Sequence, residues 1–156
     1  MIERVAAPVP EALVWAALGD VPDPEIPAIS VVDLGVVHTV TATSGSIRVE
    51  ILPTFVGCPA VEMMRAAISE RLESLADRVE VKVTFATPWT SDRITADGRR
   101  HLWASGFAPP VAPEEVRCPY CDSAEVAFDS AFGPTLCRAL FYCRACRQPF
   151  EQFKAV

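Results

Sequence analysis

The chain has no apolar run near the roughly twenty residues that a membrane helix needs, so no bilayer span is expected. Basic residues are also short: 14 Lys and Arg stand against 20 Asp and Glu, a formal net charge of −6. A general nucleic-acid binder needs a basic face to neutralise phosphates, and this balance argues against one. The N-terminus, "MIERVAAPVPEALVWAALGD", lacks a basic stretch and carries acids, so it does not read as a signal peptide. A cytoplasmic location follows as the default. Histidine is scarce too. His38 and His101 fall in a predicted strand and a predicted late helix, and neither offers a base beside a thiol, so a Cys–His hydrolase is disfavoured.

Cysteine is missing from most of the chain and crowded at its end. Of six cysteines, only Cys58 precedes the last forty residues. In a reducing compartment such usage points to metal or redox chemistry before disulfides. Half of the 156 residues are hydrophobic, which suits one ordinary domain or one domain with a small appendage.

Pro10 and Glu11, then "ALVWAAL" and Gly19, predict a short helix with a proline start and a glycine stop. "DVPDPEIPAIS" follows, a loop stiffened by three prolines. "VVDLGVVHTVTATSGSIRVEILPT" predicts a hairpin turning at Ser44–Gly45, with Ile47, Val49 and Ile51 on one face. From Pro59 to about Ala76, Val61, Met64, Ile68, Leu72 and Leu75 recur at helical steps. "VEVKVTF" alternates as a strand with Val79, Val81, Val83 and Phe85 on one face, and a helix is predicted over roughly Asp92 to Ser105. The order helix, strand, strand, helix, strand, helix predicts a small α/β domain, residues 1–106, with helices over a three-stranded mixed sheet. Residues 107–115, "FAPPVAPEE", read as a proline-rich linker, and 116–156 as a separate module.

In that module "CPYC" supplies Cys118 and Cys121, and "CRAC" supplies Cys143 and Cys146. Two such turns can converge four thiolates on one tetrahedral ion. A unit of about forty residues is too small for a self-sufficient core, so a metal crosslink is needed. A structural zinc ribbon is the leading expectation, with a rubredoxin-like iron or a cluster as alternatives. Phe128, Phe132, Phe141, Tyr142, Phe150 and Phe153 are expected to pack around its strands. Cys137 is left over, as a buried small residue or a possible extra ligand.

Cys58 is expected at the N-cap of the helix starting at Pro59. Unpaired amides and the positive helix end there favour a thiolate, which is a nucleophile or a metal ligand. A buried free cysteine is the plainer alternative. Asp23 and Glu25 in "DPEIP" and Asp33 in "VVDLG" are the acids expected beside it, where carboxylates and a thiolate can hold iron transiently. Capping of turn amides is their plainer role.

"DPEIPAISVVDLGVV" followed by "TFVGCP" and a long helix resembles the iron–sulfur cluster assembly domain family, which includes SufT-like proteins. The added "ATPWTSDRITADGRRHL" and the C-terminal "RCPYC…FGPTLCRALFYCRACRQPFEQFKAV" are similar to the PaaD family, associated with the phenylacetyl-CoA epoxidase complex of aerobic phenylacetate degradation. The resemblance implies an accessory role, not catalytic alone: delivering or maturing iron or iron–sulfur centres of the oxygenase and reductase subunits. It puts the family's cysteine at Cys58, its acidic motifs at Asp23, Glu25 and Asp33, and another family cysteine at Cys137. It also implies a homodimer. The alternative is a structural or docking subunit of the complex without metal transfer.

Overall fold

Pro10 caps α1, Glu11–Gly19, which buries Val14, Ala17 and Leu18. The computed structural model describes residues 7–156. The chain divides into two units, Met1–Trp89 and Thr90–Val156.

In the first unit the proline loop after α1 folds back on itself. Asp23 donates its amide to the Ile29 carbonyl at 2.8 Å, and Val31 donates to Val21 at 2.9 Å. The hairpin predicted from the alternation is present as β1, Val37–Thr43, and β2, Ser46–Ile51. Its turn needs Gly45, whose φ of 74° is left-handed. Ile47, Val49 and Ile51 are fully buried. Helix α2, Ala60–Leu72, then returns the chain to β3, Arg78–Val83, which pairs parallel with β2. The sheet order is β1-β2-β3, with β1 antiparallel to β2, so the expected three-stranded mixed sheet is formed.

Two boundaries differ from the sequence expectation. Helix α2 ends at Leu72, short of Ala76, because the chain must leave it to bring the Arg78 amide to the Gly45 carbonyl at 3.0 Å. Strand β3 ends at Val83, where β2 runs out, and Phe85 beyond it is 67% exposed. The alternation of "VEVKVTF" is real, but its last member has no sheet to face.

The second unit begins with a 3-10 turn at Ser91–Arg93 and α3, Ala96–Ala104, capped by Thr95. The helix predicted from Asp92 is shortened because Ile94 and Thr95 are extended. Four strands follow: β4, Phe107–Ala108; β5, Val126–Ser130; β6, Arg138–Cys143; β7, Pro149–Phe153. Their order is β4-β7-β6-β5. Phe107 and Ala108 therefore lie in a strand, paired with Glu151 and Gln152, where the sequence reads the start of a linker. Arg99 ties α3 to the segment after β4, donating to the Pro110 carbonyl at 2.8 Å. The unit's core holds Ala108, Val116, Cys118, Ala139, Phe141, Cys143 and Phe150. Phe153 is buried as expected, but Phe128, Phe132 and Tyr142 are exposed. Phe128 lies on edge strand β5, Phe132 in the loop after it, and Tyr142 alternates to the face opposite Phe141.

Among the described residues no helix is long and apolar enough to cross a membrane.

Candidate metal centre

Two short turns with the same backbone pattern carry the four cysteines. In the first, the Asp122 amide donates to the Cys118 carbonyl at 2.8 Å, and the Cys118 amide donates to Ser123 at 3.0 Å. In the second, Arg147 donates to Cys143 at 2.9 Å, and Cys143 donates to Gln148 at 2.9 Å. The residue after the second cysteine is left-handed in both, with φ of 59° at Asp122 and 62° at Arg147. That reversal curls each turn around its own sulfurs and aims backbone amides at them.

The sulfurs of Cys118, Cys121, Cys143 and Cys146 all lie within 4.8 Å of one another. The cross-turn pairs Cys118–Cys146 and Cys121–Cys143 are each 3.6 Å apart. A tetrahedral zinc with Zn–S bonds of about 2.3 Å requires sulfur separations of about 3.8 Å, so the set fits such an ion with little movement. The Cys146 amide, donating to Cys143, draws that thiol down to about 7. Burial pushes Cys146 up to about 12. Cys143 thus enters the neutral range partly ionised, and the remaining thiols give up protons as a metal binds.

Cys137 stands outside this set. It is buried, and its sulfur lies 3.0 Å from Thr135 Oγ1. The same hydroxyl accepts from Arg138 Nε at 2.9 Å, and Arg138 pairs with Glu151 at 2.6 Å. This part-buried charge pair gave no sequence signal, since it depends on the register Leu140↔Glu151 that places β6 beside β7.

Cys58 lies elsewhere, in the first unit, as a half-buried free thiol. It is one residue upstream of the expected place: Pro59, with φ −68° and ψ −19°, takes the cap position of α2. The proline ring already fixes a helical φ, which moves the non-helical joint back by one residue. Cys58 donates its amide to Phe55 at 3.2 Å and accepts from Val61 at 3.3 Å. Gly57 makes this turn possible with a φ of 76°, and a Cβ there would meet nothing within 4 Å. The cost of a side chain is therefore conformational alone. Gly57→Ala is expected to lower the first unit's stability by about 1–2 kcal/mol, and Gly57→Asn by less, in urea unfolding.

The sheet brings three loops to one end. Because β2 and β3 are parallel, the segments that leave them emerge side by side, and Thr84 donates to Ile51 at 2.9 Å at the join. The segment before β1 meets them there: Leu52 donates to Val36 at 2.7 Å, and Trp89 Nε1 donates to Leu34 at 3.0 Å. The Asp33, Cys58 and Trp89 loops thus share the carboxyl end of the parallel pair, where open sheets place their sites. Val56, Met63 and Phe85, on these loops and the first turn of α2, are exposed.

The acids behave less uniformly. Asp23 is buried, and its Oδ1 accepts from Glu25 at 2.9 Å and Ile26 at 2.7 Å, so it shapes its own loop. Glu25 and Asp33 are half-buried, and Ser30 Oγ accepts from the Asp33 amide. Among the described residues the four ribbon cysteines are the only set of three or more His, Cys, Asp and Glu groups close enough to hold a metal. Cys58, Asp23, Glu25 and Asp33 do not form such a set.

The family described as PaaD zinc beta ribbon domain matches residues 107–154, and the family described as iron–sulfur cluster assembly protein matches residues 11–84. The chain is 38% identical over 165 residues to an Escherichia coli (strain K12) protein provisionally named as a subunit of 1,2-phenylacetyl-CoA epoxidase, covering 99% of this chain and 100% of that one. Two solved structures resemble part of the chain. The domain of unknown function DUF59 from Bacillus anthracis is 27% identical, with a TM-score of 0.55 over 59% of this chain and 90% of its own. The conserved hypothetical protein TM0487 from Thermotoga maritima is 29% identical, with a TM-score of 0.51 over 59% of this chain and 92% of its own.

Proposed function

Because this chain belongs to the PaaD family of phenylacetyl-CoA epoxidase subunits, uniting an iron–sulfur cluster assembly domain with a PaaD zinc ribbon, we propose that it is an accessory protein of that epoxidase system. In this reading it delivers or matures iron or iron–sulfur centres of the oxygenase or reductase subunits, in the cytoplasm. Cys58 is the transient ligand for the cargo. The observation that carries the reading is the half-buried Cys58 thiol, on a glycine-dependent turn at the sheet end where the Asp33 and Trp89 loops also arrive.

A lone thiolate grips a soft cation but cannot enclose it. Binding releases the thiol proton, and the open coordination positions let the client's own ligands take the cargo. Two copies each supplying Cys58 would share the cargo across a homodimer. Glu25 and Asp33 tune the charge around that position, while Asp23 holds the loop that carries Glu25. The four ribbon cysteines hold a structural zinc, which supplies a fold and no redox step.

Cys58→Ala is expected to leave the protein folded and its ribbon loaded, and to lower the iron content of the co-expressed oxygenase or reductase severalfold. Client iron equal to that obtained with wild type would remove the carrier role. The second reading, a docking subunit without metal transfer, is favoured by the exposed Phe128 and Phe132 of the ribbon unit. It predicts the same client iron with Cys58→Ala, and loss of co-purification when a ribbon cysteine is replaced.

A further inference from the structure

One face of the ribbon sheet is only partly covered. The register places Phe128 of β5, Phe141 and Ala139 of β6, and Gln152 of β7 on that face. The chain's own proline segment lies against part of it: Gln152 Nε2 donates to the Pro109 carbonyl at 3.4 Å and to the Val111 carbonyl at 3.2 Å. Beside this segment a cleft of about 520 Å³ stays open, bounded by Val111, Phe128, Ala139, Phe141 and Lys154 among others.

The lining is apolar except at two points. Gln152 is committed to the proline segment, and Lys154 is the one charged side chain among the described residues that line the cleft. The Lys154 ammonium lies 5.4 Å from the centre of the Phe132 ring. Phe128 meets Phe141 edge-on at 5.5 Å, and Phe141 stacks on Phe150 at 5.7 Å. A row of rings, Phe150, Phe141 and Phe128, thus rises from the buried core to the cleft and ends in water: Phe128 is 62% exposed, and Phe132 under Lys154 is 72% exposed. Two exposed phenylalanines beside an apolar cleft mark an interaction site more often than bare surface.

We propose that this cleft docks an extended apolar segment of an epoxidase subunit, with a carboxylate of that segment set against Lys154; the proposal rests on the accessory reading above. Two observations select this occupant. The face already receives a stretch of peptide, Pro109–Val111, through carbonyl recognition by Gln152. A single cation in an apolar setting is complemented by a single acid, and a partly desolvated pair of this kind selects its partner strongly. A second copy offers no such match. Two copies meeting face to face would oppose Lys154 with Lys154, and no acid stands among the described residues of the lining.

The test immobilises the full metal-loaded chain and passes the purified oxygenase and reductase subunits over it separately, by interferometry. Wild type is expected to bind one of the two, less tightly as salt rises. Phe128→Ser and Lys154→Glu are each expected to weaken that binding at least tenfold. Both substituted side chains line an open cleft, and retained metal content checks that the variants stay folded. Binding of both variants within twofold of wild type overturns the cleft and leaves the carrier reading standing. No wild-type binding to either partner overturns both. A wild-type dimer that Phe128→Ser dissociates identifies a second copy as the occupant and also overturns the proposal.

Discussion

Cys118→Ser, or removal of the metal by a strong chelator, is expected to unfold the Thr90–Val156 unit within the intact chain. The cluster packed around the cysteine turns is seven residues, and two of them, Cys118 and Cys143, belong to the set that could hold an ion. Such a core does not outweigh the backbone entropy of ordering the segment. The missing stability is expected from a bound ion, whose binding in small four-ligand zinc units is worth about 10–16 kcal/mol. Without it, nothing would bridge the four sulfurs within 4.8 Å of one another, and the two left-handed residues Asp122 and Arg147 would relax. Amide spectra of the full chain check this. The resonances of β5, β6 and β7 should collapse into the unfolded range, while those of β1, β2 and β3 remain dispersed. Retention of native β5–β7 shifts in the metal-free chain would show that the ion is dispensable for the fold.

Ile68→Ala is expected to destabilise the first unit by about 2–5 kcal/mol, and Ile68→Val by about 0.5–1.5 kcal/mol. Ile68 is fully buried, in the stripe of Ala60, Val61, Met64 and Leu72 that holds α2 to its surroundings. The same helix carries the Cys58 turn at its amino end, where Val61 donates to the Cys58 carbonyl. A loosened α2 therefore disturbs the thiol's position before the unit unfolds. Urea titration of the two variants measures the stability change. Equal midpoints for wild type and Ile68→Ala would mean that this stripe does not bear the packing assigned to it.

The parts of the fold that were legible are those with a period or a punctuating residue. The two-residue alternation of Ile47, Val49 and Ile51, the glycine at the turn before them, and the helical spacing of Val61, Met64, Ile68 and Leu72 each encode local geometry. Phe85 misled because alternation persists past the point where β2 stops, and only the partner strand's length decides where burial ends. Phe132 misled because hydrophobicity does not say that it falls in the loop beyond β5, and Phe128, though it meets Phe141 edge-on, stays exposed because β5 is an edge strand. The clustering of the four ribbon cysteines was readable from spacing, since a C-x-x-C turn fixes two sulfurs locally. Nothing local could tell whether Asp23, Glu25 and Asp33 approach Cys58, because long-range convergence depends on loop paths. The structure instead turns the Asp23 carboxylate onto its own loop amides.

The most direct test of the carrier role is elemental analysis of the anaerobically purified protein, wild type beside Cys58→Ala. The account predicts one zinc per chain in both, and additional substoichiometric iron in wild type alone. Equal iron in the two proteins, or none in wild type prepared with iron supplied, would contradict it.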